Sequence, residues 1–293
     1  MQFAIKRFLH SVIVVVVLFS SVGGNVFSYE GYVTTDIGNL AFNQEITIPI
    51  DTSLDEAKFQ PIDVRIVFDN SCWTQNETKH SVRVGYDDGS GITEIDSQIY
   101  DLEHSDDSHI TACSLVFLIP EDANGKEKYY VLYDGSETSV PEYVDHLYFE
   151  DTHYFYEPIS GQIIDFDYYK IFQDEYIVYG ILQKGEILGN GVSNSLARLK
   201  PEQTEFETTT MDQLAGMYMS YSKDGEPDWA GPAWATTVSK TVLVDGNLML
   251  RFRLEGVSPD GAVKTDNIYT YYYCPTSAKR MNVNINHEVL ETT

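Results

Sequence analysis

Apolar positions along this chain alternate with polar ones in short runs, broken about every 8–12 residues by clusters of Asp, Asn, Gly and Ser, which is the cadence of a β-sandwich or barrel. Between residues 36 and 134 the pattern predicts strands at 45–50, 62–68, 80–86, 93–100, 110–119 and 128–133. The separators are 51–53, 69–71, 87–91, 105–108 and 122–125, rich in residues that tolerate positive φ or bond their own backbone. Six or seven short strands in about 100 residues match the size of an immunoglobulin-like sandwich. A polar connector occupies 135–145, and longer runs follow over 146–293. These predict strands at 146–156, 168–172, 175–184, 186–191, 217–221, 236–244, 247–255, 267–274 and 280–290. Gln173-Asp174, Lys184-Gly185 and Asp245-Gly246 read as tight turns, Asp-Gly being the strongest hairpin signal. Only 53–58 and the stretch near 211–216 read as helical. The expected fold is all-β: an Ig-like β-sandwich followed by a larger antiparallel sandwich.

The N-terminus changes the picture from fold to location. Lys6 and Arg7 precede an apolar run over 11–19, and Ser20, Ser21, Gly23 and Gly24 follow. This is the layout of a secretory signal peptide over 1–28, with Gly24 or Ser28 as the last residue removed. The alternative is an uncleaved membrane anchor, because the charge-free interval 8–29 is just long enough to span. The Gly, Ser and Asn content of its second half favours the cleaved signal. The protein is therefore expected to be secreted or held at the cell surface.

Removing the leader takes Lys6 and Arg7 from the 19 basic side chains, so 17 face 45 acidic ones and the formal charge moves from −26 to −28. Such a surface repels nucleic acid, whose binding needs Lys and Arg at phosphates. It also disfavours anionic membranes and strongly anionic polysaccharides. No membrane partner is expected unless the leader is retained. An exported chain sits where disulfides persist, and Cys72 and Cys113 fall in one expected domain, so a bridge between them is anticipated. Cys274 is then a buried thiol, an intermolecular partner, or the sign of a chain that continues further; the late strand at 280–290 either closes the sheet or marks the same truncation. Asn76-Glu77-Thr78 is an N-glycosylation acceptor pattern.

Candidate chemistry centres on the last strands. Alternation puts Asn282, Asn284 and Asn286 on one side of their strand, Tyr269, Tyr271 and Tyr273 on one side of theirs, and Arg251 with Arg253 on one side of an earlier strand. Gathered on one sheet face, these rings, amides and guanidinium forks would suit sugar hydroxyls and C–H patches. The plainer reading is a solvated sheet face. A Pro/Gly-rich loop carries Trp229 and Trp234, which either stack on a ligand or plug the end of the core. The loop 103–109 gathers two histidines and three acids without EF-hand or HExxH spacing, so it reads as a charged hairpin tip and no metal is expected. Asp87-Asp88-Gly89-Ser90 and Asp165/Asp167 leave structural calcium as the one cofactor to consider. His287, facing with Val283 and Ile285, reads as a core histidine. There is no GxSxG elbow, and Gly189-Asn190-Gly191 lacks the third glycine of a nucleotide fingerprint.

Val82-Arg83-Val84, Asp88-Gly89-Ser90, Gln98, Leu115-Val116-Phe117 with Pro120, and Tyr129–Tyr133 resemble the small β-sandwich that precedes supersandwich domains in some secreted polysaccharide lyases. Tyr169-Lys170-Ile171 leading into Asp174–Val178 resembles the opening of a supersandwich. The resemblance covers most of the mature chain in outline, with no specific motif, and no catalytic residue carries over. The chain also resembles uncharacterised exported archaeal proteins with acidic, Tyr-rich sandwiches, which implies location rather than activity. The expectation that results is an exported binding protein engaging carbohydrate through the Trp loop and the Tyr/Asn/Arg face. The alternatives are a polysaccharide lyase or glycosidase, or a structural envelope protein bound to other surface proteins.

Overall fold

The computed structural model describes residues 27–28, 37, 40–187, 191–193, 198–201, 215–216, 236–258, 260–276 and 279–290. The expected leader, the strand expected at 217–221 and the Trp loop lie outside these residues, apart from the two of β1. The first strands are β1 (Phe27–Ser28), β2 (Phe42–Ile46), β3 (Pro61–Asn76), β4 (Lys79–His80), β5 (Arg83–Asp87), β6 (Ile92–Ile95), β7 (Ser97–Asp106), β8 (His109–Leu118) and β9 (Lys128–Tyr133). Then come β10 (Leu147–Ile159), β11 (Gln162–Gln173), β12 (Tyr176–Ile187), β13 (Gly191–Ser193), β14 (Arg198–Pro201), β15 (Ala215–Gly216), β16 (Thr236–Asp245), β17 (Met249–Val257), β18 (Val263–Tyr272) and β19 (Met281–Val289). All pairings are antiparallel, in four sheets ordered β1-β2-β9-β5-β6, β4-β3-β8-β7, β10-β11-β12-β14-β15 with β13 beside β12, and β16-β17-β18-β19. One sheet is curled into a half-barrel. The one helical turn among the described residues is a 3-10 turn at Asp55–Ala57.

Two of the expected turns need correction. The separator 69–71 lies inside β3, where the register with β8 shifts between Val67 and Cys72 and the strand bulges instead of ending. Lys184-Gly185 also lies inside a strand, with Gly185 opposite Phe166 at a register shift in β11 and β12. The turns at Asp174 and after Asp245 are present, and Asp174 has φ 52°.

The first two sheets close on a core that includes Ile66, Phe68, Val84, Leu115, Phe117, Tyr129, Val131 and Tyr133. β8 is buried on both faces over Ala112–Phe117. Cys113, Leu115 and Phe117 face the core between the first two sheets, while Val116 packs with Tyr100, Leu248 and Met249. The uninterrupted apolar run there reflects cover on both sides. Leu147, Tyr169, Ile171 and Val178 of the third sheet pack against Leu250, Phe252, Tyr269 and Tyr271 of the fourth. Further along β10 and β11 a separate buried pair, Phe166 and Tyr168, packs with Tyr154 and Ile164. Ile164 and Phe166 lie on the opposite strand face from Tyr169 and Ile171, so the sheet buries opposite faces in its two halves.

Cys72 and Cys113 are free thiols, both with no exposure, so the expected bridge is not formed. Cys72 is opposite Ile110 and Cys113 is opposite Ile66, and the β3 bulge puts them out of step. Cys72 Sγ instead meets Thr74 Oγ1 at 3.6 Å and Ser81 Oγ at 3.7 Å. Burial pushes the Cys72 thiol up to about 11 and the Cys113 thiol further, so neither is a ready nucleophile. Cys274 is half-buried, with its Sγ 3.1 Å from Thr276 Oγ1.

Three buried glutamines clamp the layers together. Gln44 donates to the Val67 carbonyl at the β3 bulge at 3.0 Å, joining the two N-terminal sheets. Gln98 Oε1 accepts from the Leu248 and Met249 amides at 2.9 and 2.8 Å, and its Nε2 donates to the Met249 carbonyl at 3.2 Å. Gln173 Oε1 accepts from the Tyr271 hydroxyl at 2.8 Å, and its Nε2 donates to the Cys274 carbonyl at 2.9 Å. A buried amide satisfies backbone groups that water cannot reach, and leaving such a group unpaired costs about 1–3 kcal/mol. Gly246 is needed beside the second clamp, because a Cβ there would fall on the Gln98 amide.

Candidate functional site

The fourth sheet positions most of the predicted contact residues. β17 alternates Leu250, Phe252 and Leu254 with Arg251, Arg253 and Glu255, so one face is apolar and the other charged. The register puts Arg251, Thr270 and Asn282 in one row, Arg253, Ile268 and Asn284 in the next, and Glu255, Asp266 and Asn286 in a third. Residues directly opposite in a sheet share a face, so the arginines and asparagines do come together on the outer surface. Asn282, Asn284 and Asn286 are exposed there.

The tyrosines do not join them. Tyr269 and Tyr271 pair with Phe252 and Leu250, face inward and have no exposure. Tyr273 follows β18 and stacks on His146, ring centroids 3.9 Å apart and 9° from parallel. The outward tyrosine is Tyr272, which sequence reading passed over. The Tyr/Thr alternation of β18 is amphipathic in either orientation; only pairing with the unambiguous faces of β17 fixes it.

Arg251 is also not a free contact. Its Nη2 is 3.2 Å from Asp63 Oδ2, its Nε donates to Thr270 Oγ1 at 3.1 Å, and its guanidinium lies 5.0 Å over the Tyr100 ring. Asp63 accepts further bonds from the Tyr100 and Tyr272 hydroxyls, both at 2.7 Å. β3, β7, β17 and β18 therefore meet in a polar joint beside the Gln98 clamp. His146 extends the joint, 2.8 Å from Asp174 and 3.9 Å from Asp96. Burial raises the Asp96 carboxyl, against a smaller opposing pull from His146.

The rest of the outer face is internally neutralised. Arg253 makes a two-pronged bond to Asp266, Nε to Oδ1 at 2.9 Å and Nη2 to Oδ2 at 2.6 Å. Glu255 accepts from Ser239 at 2.7 Å and meets Lys264 at 2.9 Å. The bond to Asp266 holds the Arg253 guanidinium further into its charged range, and the Lys264 bond holds the Glu255 carboxyl low. An anionic ligand would have to displace Asp266. Hydroxyl groups need displace nothing, because each asparagine amide offers donors and acceptors at once.

The acidic loops turn their oxygens inward. Asp88 Oδ1 accepts from the Ser90 amide and hydroxyl, and Asp106 Oδ1 accepts from the Ser108 amide and contacts the His109 ring. His153 binds Asp165 at 3.0 Å. Among the described residues no group of three His, Cys, Asp or Glu side chains is placed to hold a metal ion. His287 lies on the inner side of β19, half-buried, with Nδ1 3.0 Å from Thr265 Oγ1 and its pKa lowered by burial. Trp229 and Trp234 lie outside the described residues. No protein-family model, no curated protein and no solved structure matches the chain.

Proposed function

We propose that the protein is an exported binding module, secreted or at the cell surface, that engages a neutral, hydroxyl-rich glycan on the outer face of its last sheet. In this reading 36–134 is an Ig-like sandwich, 135–145 a connector and 146–293 a larger supersandwich-like unit. The observation that carries it is the exposed row Asn282, Asn284 and Asn286, held in register with Arg253. Strand geometry spaces those amides by roughly 6.8 Å, so they can meet successive polar groups of an extended chain. The closed Arg253–Asp266 pair and the net charge of −26 both favour an uncharged partner. Contacts come from Arg253, Asn282 and Asn284; Tyr269 and Tyr271 support the face from beneath.

Affinity electrophoresis of the mature protein through gels containing neutral or acidic polysaccharides tests the reading. Retardation is expected in a neutral gel. A variant combining Asn284→Ala with Arg253→Ala should bind at least about tenfold more weakly, since each lost hydrogen bond is worth about 1 kcal/mol. Equal retardation of variant and wild type, or none in any gel, would remove the face as a glycan site.

A further inference from the structure

We propose that Asn76 is a glycan-acceptor site, its side-chain nitrogen taking an oligosaccharide from a lipid-linked, phosphate-activated donor during export. This rests on the export part of the functional reading and is independent of the outer-face binding site.

Asn76-Glu77-Thr78 is the sole Asn-x-Ser/Thr triplet in the chain. It forms the tip of the hairpin joining β3 to β4, with Asn76 opposite Lys79. Residues 75–79 are all exposed, so an enzyme can reach the tip without unfolding the sandwich. The geometry goes beyond the triplet. Asn76 Oδ1 accepts three hydrogen bonds, from the Thr78 amide at 3.0 Å, the Thr78 hydroxyl at 2.9 Å and the Lys79 amide at 2.8 Å. An Asn side chain bonded to the backbone two residues on is an Asx-turn. Here it fixes the carboxamide with its oxygen turned into the hairpin, and Nδ2 makes no hydrogen bond among the described residues.

The chemistry follows from that orientation. A carboxamide nitrogen is a poor nucleophile because its lone pair is delocalised into the carbonyl. Donors gathered on Oδ1 stabilise the imidate that forms when Nδ2 loses a proton, the logic by which fixed donors stabilise any developing oxyanion. In the transfer, Nδ2 attacks the anomeric carbon of the donor and a C–N bond forms. The bond from that carbon to the donor phosphate oxygen breaks, and the phosphate leaves with the electron pair. The proton from Nδ2 passes to a base of the transferase, and no oxidant or reductant is needed. Thr78 is a positioning residue, since its hydroxyl acts through Oδ1. The tip stands at the opposite end of β3 from Asp63, so an attached glycan leaves the joint uncovered.

The full chain, secreted by a host with an active oligosaccharide transferase, should carry one glycan. Its mass should fall on peptide N-glycosidase digestion, which leaves Asp at position 76. Asn76→Gln and Thr78→Val should lose the glycan and Thr78→Ser should keep it; all three should still fold, the first two melting slightly below the unglycosylated wild type because they lose hydrogen bonds at Oδ1. A secreted chain with the mass of the bare polypeptide would overturn the site, as would a glycan retained in Asn76→Gln. Failure to secrete would count against the export reading instead. The same chain placed behind a proven secretory leader then decides Asn76: modification there supports the site, and a bare polypeptide overturns it.

Discussion

Asp63→Ala is expected to cost about 3 kcal/mol of stability and to split one unfolding transition into two. Asp63 is the common acceptor of the joint, bonded to Tyr100, Tyr272 and Arg251. Its removal strands the Arg251 guanidinium against Tyr100 and leaves two hydroxyls without acceptors. Breaking a buried ion pair costs about 3–5 kcal/mol, and the lower end applies because both side chains retain 23% exposure. Arg251→Met in the Asp63→Ala background should recover part of the loss, with a coupling of about 1–3 kcal/mol in the double-mutant cycle. A coupling under about 0.5 kcal/mol would mean the cluster does not join the sheets.

The second large effect is on acid stability. His80 is 3% exposed, and burial, then the neighbouring Arg83 guanidinium, hold its pKa down to about 3. In the unfolded chain the same ring protonates near its ordinary value of 6.5. Between pH 6.5 and about 3 the unfolded state therefore binds a proton that the folded state refuses. The stability that neutral His80 confers is complete above pH 6.5 and declines as the pH falls toward 3, by at most about 1.4 kcal/mol per pH unit. His80→Gln keeps a neutral polar side chain and removes this dependence. Going from pH 6.5 to 4.5, the wild type should lose about 2–3 kcal/mol more than the variant in urea unfolding, the carboxylates being common to both. Parallel stability profiles would show that His80 titrates normally in the fold.

What the sequence made legible was local. Period-two alternation identified β9 residue for residue, and the opposition of Leu250, Phe252 and Leu254 to Arg251 and Arg253 fixed the faces of β17. It failed where a strand reads the same on both sides. β18 carries aromatic and hydroxyl groups on each face, so the outward position of Tyr272 depended on register. Turn residues misled where a bulge absorbs them, as 69–71 do inside β3, and that bulge also shifts the register between Cys72 and Cys113. The joint was least legible, since Gln98 meets Met249 across 151 positions and Asp63 meets Arg251 across 188. A lone polar residue in an apolar run gives no sign of a partner so distant.

The joint matters because it ties the sheet that presents Arg253, Asn282 and Asn284 to the two N-terminal sheets. Hydrogen exchange at the Leu248 and Met249 amides tests this most directly, because both donate to Gln98 Oε1, a side chain of the second sheet. The account predicts exchange as slow as at Phe252 in the middle of the sheet, with selective acceleration of these two amides in Gln98→Ala. Exchange of both at the rate of an exposed loop, while Phe252 stays protected, would contradict a fixed joint.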